Sequence, residues 1–155
     1  MKRTPIILAT ALLGAACVAT VAGARQDPHS AHASRATVVA LRSTPLGKIL
    51  VSSSGRTLYE FTRDHAGKNS CVSISGCAEV WPALQSSGGL SAGPGVKASL
   101  LSTIKLPNGA KQVTYAGHPL YLYSADSGPG ETSYVGAREF GGLWEAVNSS
   151  GHALK

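Results

Sequence analysis

The residues best suited to chemistry lie in a stretch that the chain contains twice. One copy is Gly55-Arg-Thr-Leu-Tyr-Glu-Phe-Thr-Arg-Asp64 and the other is Gly117-His-Pro-Leu-Tyr-Leu-Tyr-Ser-Ala-Asp126. Gly, Leu, Tyr, a second aromatic and Asp recur at the same offsets, 62 positions apart. Asp64 and Asp126 could form a pair of carboxylates working as acid and base, provided further groups converge on them. The second copy offers no His or Glu matching a clear partner. The preferred reading is therefore simpler: each aspartate ends its strand and accepts backbone N–H bonds that fix the following turn.

The aromatic pairs pose a similar choice. On a strand alternate side chains share a face, so Tyr59 and Phe61 point one way and Leu58 and Glu60 the other. Tyr121 and Tyr123 point together, opposite Leu120 and Leu122. Packing between the repeats is the preferred role, since buried rings contribute much apolar area per residue. The alternative is an exposed aromatic shelf for a glycan or a flat cofactor. A tryptophan follows each copy, Trp81 and Trp144, at nearly the same distance.

These residues need strands to position them, and the surrounding sequence supplies the pattern. Thr37–Arg42 and Lys48–Ser52 read as strands around a Pro45-Leu-Gly47 turn. Arg56–Thr62 is the first motif strand. Gln112–Tyr115, Leu120–Ser124 and Leu143–Val147 repeat the plan. No long window carries a 3.6-residue apolar period. Short helices are expected at Cys77–Leu84, ended by Pro82, and at Ser99–Thr103. Gln85–Val96, rich in Ser, Gly and Pro, reads as a surface loop. The fold class is mainly β: two related β-units in tandem within one domain, with one or two short helices, units about 40–84 and 103–148 inside a domain spanning 37–155. A spaced repeat of this kind points to duplication.

The motif Tyr59-x-Phe61-x-x-Asp64 and Tyr121-x-Tyr123-x-x-Asp126 resembles the signature of a bacterial secreted-repeat family of predicted lipoproteins. The likeness extends through Cys71…Cys77-Ala-Glu-Val-Trp81-Pro82, Gln112-Val-Thr-Tyr-Ala-Gly-His-Pro-Leu-Tyr121 and Phe140-Gly-Gly-Leu-Trp144. It covers roughly residues 40–148. One departure is Ser133-Tyr-Val-Gly136, where the resemblance implies a Gly-rich turn. The resemblance implies a type of protein and carries no activity with it.

The amino terminus reads as a secretory signal over residues 1–24. Lys2-Arg3 precedes an apolar run, and Ala22-Gly23-Ala24 fits a small-residue cleavage site. A rival cut before Cys17 would leave that cysteine lipidated, and an uncleaved segment could anchor the chain in a bilayer. All three place the domain outside the cytoplasm, secreted or attached to the outer face of the membrane. Residues 25–36 read as a flexible tether, in which Asp27, His29 and His32 are taken as solvated rather than metal-binding.

In an exported chain the remaining pair, Cys71 and Cys77, is expected to form a disulfide. A redox pair or metal site lacks the tight Cys-x-x-Cys spacing. Without residues 1–24, Lys and Arg fall from 14 to 12 against 8 acids, a net charge of +4. The basic residues are scattered singly. That suits weak attraction to anionic envelope polymers and gives no nucleic-acid footprint.

No phosphate loop, Gly-x-Ser-x-Gly, His-Glu-x-x-His or Cys-x-x-Cys-His is present. The sequence names no catalytic residue, metal or cofactor. The expected role is a non-enzymatic envelope binding or interaction module with an unidentified ligand or protein partner. The alternative is an envelope enzyme or redox accessory protein using Asp64, Asp126 and the motif tyrosines.

Overall fold

The structure is a computed structural model that describes residues 36–65 and 67–155. Residues 1–24, read above as a signal, and Cys17, Asp27, His29 and His32 lie outside the described residues. Eleven strands occur among the described residues. β1 (Thr37–Thr44) and β2 (Gly47–Ser52) form an antiparallel hairpin, with Thr44 opposite Gly47. Gly47 takes φ +107°, a conformation that glycine adopts without a Cβ clash. β6 (Leu101–Lys105) and β7 (Lys111–Tyr115) form the equivalent hairpin of the second unit.

The motif copies follow these hairpins. β3 (Tyr59–Phe61) holds the first copy and is fully buried. The second copy, expected as a strand over Leu120–Ser124, departs from regular pairing: only Tyr121 forms ladder bridges, to Tyr59 and Ala83. Its backbone is nevertheless bonded, Leu122 N–H to Pro82 carbonyl at 2.9 Å and Ser124 N–H to Val80 carbonyl at 2.9 Å. Pro82 and Pro119 have no N–H to give, so the ladder beside this copy is incomplete. The first copy is also shorter than the expected Arg56–Thr62.

Three further expectations are corrected. Ser99–Thr103 holds a single 3-10 turn (Ala98–Leu100), after which Leu101–Lys105 joins β7 as strand β6. Thr103 and Ile104 are β-branched, and the long-range partner strand outweighs any helical tendency. The stretch read as a surface loop contains β4 (Gln85–Ser86), paired with β7, and β5 (Leu90–Ala92), paired parallel to β1. Gly93 follows where the chain crosses β1 closely: a Cβ there would lie 3.2 Å from Ala40 Cα and from the Val39 carbonyl oxygen. The helix expected at Cys77–Leu84 is one turn, α1 (Cys77–Val80), and ends before Trp81.

The remaining strands are β8 (His118–Pro119) beside β7, β9 (Ala137–Glu139), β10 (Gly142–Val147) and β11 (Ala153–Leu154). The strands form three sheets: β2-β1-β5; β10 with β3, β9 and β11; and β4-β7-β6 with β8. The pairing exchanges the two repeats. β3 of the first unit pairs with β10 of the second, Phe61 opposite Trp144 and Tyr59 opposite Ala146. The second motif copy runs along residues 80–84 of the first. Each motif therefore lies against the tryptophan segment of its sister.

The alternation along the motif sorts the core as expected. Leu58 and Leu120 join Val39, Leu50, Val113 and Tyr115 in an aliphatic cluster, with Leu122 packed on it. Tyr59, Phe61, Tyr121 and Tyr123 join both tryptophans and the cysteines in an aromatic one.

Candidate functional site

The signature residues meet around one antiparallel bridge. Tyr59 N–H donates to the Tyr121 carbonyl at 3.0 Å, and Tyr121 N–H donates back to the Tyr59 carbonyl at 2.9 Å. This reciprocal pair relates the two copies by an approximate twofold. The glycines that open them share a left-handed backbone, φ +82° at Gly55 and +86° at Gly117.

From that bridge the side chains cross between repeats. The Tyr121 hydroxyl donates to Asp64 Oδ2 at 2.6 Å. The Tyr59 hydroxyl lies 3.3 Å from Asp126 Oδ1. Each tyrosine of the signature thus addresses the aspartate of the other copy. The spacing Tyr-x-aromatic-x-x-Asp has a geometric reason: two residues on one strand face reach the partner repeat, and three further positions bring the carboxylate around the turn.

The rings follow the same rule. Phe61 stacks on Trp144 of the second repeat, centroids 4.1 Å apart, and Tyr123 packs on Trp81 of the first at 4.4 Å. Trp81 and Trp144 stack on each other at 4.0 Å and 2°. Tyr59 meets Trp81 edge-on and Tyr121 meets Trp144 edge-on, each at 5.1 Å. Both T-shaped and offset-stacked contacts are favourable ring geometries. Packing, the reading preferred for these aromatics, matches their burial: none forms an exposed shelf.

The two aspartates differ in detail. Asp64 Oδ1 accepts the Ser70 N–H at 2.7 Å and so closes the turn after β3, the role expected of it. Asp126 holds Tyr59 and accepts no such backbone bond among the described residues, which corrects the symmetrical turn-fixing expectation. Its neighbour Glu131 takes over that work, accepting the Ser127 N–H at 2.7 Å and the Ser127 hydroxyl at 2.9 Å.

Burial raises the pKa values on this seam. Asp126 is pushed up to about 6, mainly by desolvation and next by Glu131, against the opposing pull of Tyr59 and Arg56. Burial also raises Asp64, while Tyr121 and Ser70 pull it down. Both tyrosines are held well above the ordinary phenol value by burial and their carboxylate partners. At neutral pH they remain hydrogen-bond donors.

Cys71 and Cys77 are bonded, with Cα atoms 5.4 Å apart. Both are buried, and α1 runs from Cys77 directly into Trp81, whose N–H bonds the Cys77 carbonyl at 2.8 Å. The bridge thus braces the segment that delivers one of the central tryptophans.

Several residues escaped the sequence reading. Glu139 Oε2 accepts the Trp81 indole N–H at 2.8 Å. Gln112 is fully buried, donating to the Leu120 carbonyl at 2.9 Å and accepting from Asn69 at 2.7 Å. Glu60 and Glu145 sit directly opposite on β3 and β10, both buried, near His118 at 3.5 Å and Lys155 at 3.8 Å respectively. Desolvation raises Glu60, and Glu145 adds to it. Glu60 was visible at the inward-facing place of the motif; its cross-strand partner depends on long-range register and was not. Among the described residues no set of three or more His, Cys, Asp or Glu is arranged to hold a metal.

The surface tells a different story from the net charge. Of ten described Lys and Arg residues nine are exposed, Arg56 being half-buried, whereas of seven Asp and Glu residues only Glu79 is exposed. Lys105 and Lys111 stand directly opposite on β6 and β7. Lys105 and Lys68 line a common cleft of about 250 Å³ with Asn69, Val72 and Ser73.

A family model described as "Secreted repeat of unknown function" matches residues 40–85 and 102–148. No curated protein matches, and no solved structure does. The described helices are all too short or too polar to cross a membrane.

Proposed function

We propose a polyanion-binding role outside the cytoplasm for this chain, which belongs to the family of secreted repeats of unknown function. The family's description as secreted supports export. The observation that carries the binding role is the segregation of charge: every described carboxylate but Glu79 is buried or half-buried, and every described cation but Arg56 is exposed. A surface of one sign raises the local concentration of oppositely charged polymers and speeds their association. The facing Lys105 and Lys111 add a local argument. Like charges directly opposite on neighbouring strands repel, and an anion lying between them removes that repulsion.

The same geometry favours a binding module over an enzyme. Asp64 and Asp126 are engaged by tyrosines of the opposite repeat, and the rings around them are packed on one another. A carboxylate doing acid–base work needs a substrate-sized space beside it.

Titration of the full chain with poly(glycerol phosphate) over a range of salt concentrations tests the reading. Binding should weaken steadily with salt, because screening shortens the reach of exposed charges. The Lys68→Gln, Lys105→Gln, Lys111→Gln triple variant should bind more weakly while unfolding at the same temperature. Binding that ignores both salt and the triple substitution would remove the proposal.

A further inference from the structure

The aromatic cluster has an order that packing alone does not require. Phe61, Trp144, Trp81, Tyr123 and Tyr134 form one continuous stack, with successive centroids 4.1, 4.0, 4.4 and 3.8 Å apart. Tyr134, half-buried, is its outer end. Two tyrosines branch from the tryptophans, Tyr59 from Trp81 and Tyr121 from Trp144. Three of the oxidisable rings have a carboxylate within hydrogen-bond reach of their N–H or O–H: Trp81 has Glu139, Tyr121 has Asp64 and Tyr59 has Asp126. Trp144 has none, and its buried indole N–H has no partner. Tyr123 meets the outer Tyr134 instead.

We propose that this stack is a relay that carries one-electron oxidising equivalents from Tyr134 to the two carboxylate-bonded tyrosines, Tyr59 and Tyr121. The substrate class is a one-electron oxidant such as a peroxide-derived radical. Electron tunnelling falls steeply with separation, so rings in van der Waals contact exchange electrons faster than any route through the surrounding aliphatic packing. The proton arrangement sets the direction. A phenol or indole that can pass its proton to a neighbouring carboxylate as the electron leaves is easier to oxidise than one that must remain a buried cation. Trp144 therefore passes the hole on, and Tyr59 and Tyr121 retain it. The raised pKa of Asp126, about 6, suits it as a proton acceptor.

The steps balance. The oxidant takes one electron from Tyr134, whose phenolic proton leaves to solvent. Trp81 returns that electron through Tyr123 and gives its N–H proton to Glu139, while Tyr134 regains a proton from solvent. Tyr59 then reduces Trp81, which recovers its proton from Glu139, and the Tyr59 phenolic proton moves to Asp126. The net change is one reduced oxidant, one tyrosyl radical and one protonated aspartate. A thiolate-class reductant restores the phenol by giving up one electron and leaving as a thiyl radical, and Asp126 returns the proton. This relay is independent of polyanion binding, since it uses none of the surface lysines.

The test is photo-oxidation of the full chain by photogenerated ruthenium(III) tris-bipyridine, read by transient absorption and electron paramagnetic resonance. The expected result is a tryptophan radical that decays as a long-lived tyrosyl radical grows, with a slower growth in deuterated solvent. The Tyr59→Phe, Tyr121→Phe double variant, which keeps every ring, should lose the long-lived signal and prolong the tryptophan radical. Tyr115→Phe, which changes a tyrosine outside the stack, should leave both phases unchanged. A long-lived tyrosyl signal that persists undiminished in the double variant would overturn the relay. So would a wild-type protein that yields no tryptophan radical, and that readout needs no variant to fold.

Discussion

At the scale of single residues, the two Tyr–Asp pairs do the same job with unequal grip. Tyr121 reaches Asp64 at 2.6 Å, and Asp64 also holds the Ser70 N–H. Tyr59 and Asp126 stand 3.3 Å apart. A short bond from a hydroxyl to a carboxylate is the stronger kind, and removing one partner leaves a buried oxygen to desolvate. A double-mutant cycle of Tyr121→Phe and Asp64→Ala should give a coupling of about 1 kcal/mol or more in urea unfolding, and the Tyr59→Phe, Asp126→Ala cycle a smaller one. Equal or vanishing couplings would contradict the assignment. The pKa values give a second expectation. Asp126 rises from 3.8 to about 6 on folding, so between those values the folded chain holds more protons than the unfolded one. Stability then falls as pH rises through that window. Asp64 and Glu60 shift in the same direction, while Glu131 shifts oppositely. Thermal unfolding should occur at a higher temperature at pH 5 than at pH 7, and Asp126→Asn should narrow the gap. A stability that rises from pH 5 to pH 7 would refute this.

At the scale of elements, the segment between the bridge and Trp81 is very short, a 3-10 turn and one helical turn. Such pieces have little stability of their own, since nucleating a turn fixes several torsions for one bond. The Cys71–Cys77 cross-link supplies what the turns lack. Its removal by Cys71→Ser, Cys77→Ser should cost about 2 kcal/mol, the chain-entropy value for so small a loop. Non-reducing peptide mapping of the wild type should recover the cross-linked pair; two alkylatable thiols would count against it. The elements also mark what the sequence allowed to be read. The hairpin β1–β2, the strands β7 and β10 and the division of Leu58 and Leu120 from the motif rings all follow from a two-residue period that any strand imposes. Partner choice does not. Nothing local in Leu101–Lys105 or Leu90–Ala92 announces that β7 and β1 wait 10 and 53 residues away, because pairing energy there comes from the partner strand. The reciprocal bonds of Tyr59 and Tyr121 were hidden for the same reason: the repeat pointed to two equivalent environments, but only the exchanged pairing puts each aspartate on the other copy's tyrosine.

At the scale of the whole described domain, duplication has produced two units that share one core instead of two that touch. β3 of the first repeat completes its ladder on β10 of the second, and the second motif lies along residues 80–84 of the first. Neither unit can bury its own rings, because Phe61 needs Trp144 and Tyr123 needs Trp81. With the inside occupied in this way, the outside is left to the cations. The interlock itself is tested most directly by cutting the chain between the repeats. Residues 36–100 and 101–155 would be prepared separately and followed by near-ultraviolet circular dichroism of the tryptophans. Each half alone should give the featureless spectrum and non-cooperative melt of an unfolded chain, and mixing them should restore the stacked-tryptophan signal and a single cooperative transition. A half that by itself shows a structured tryptophan spectrum and melts cooperatively would contradict the shared core.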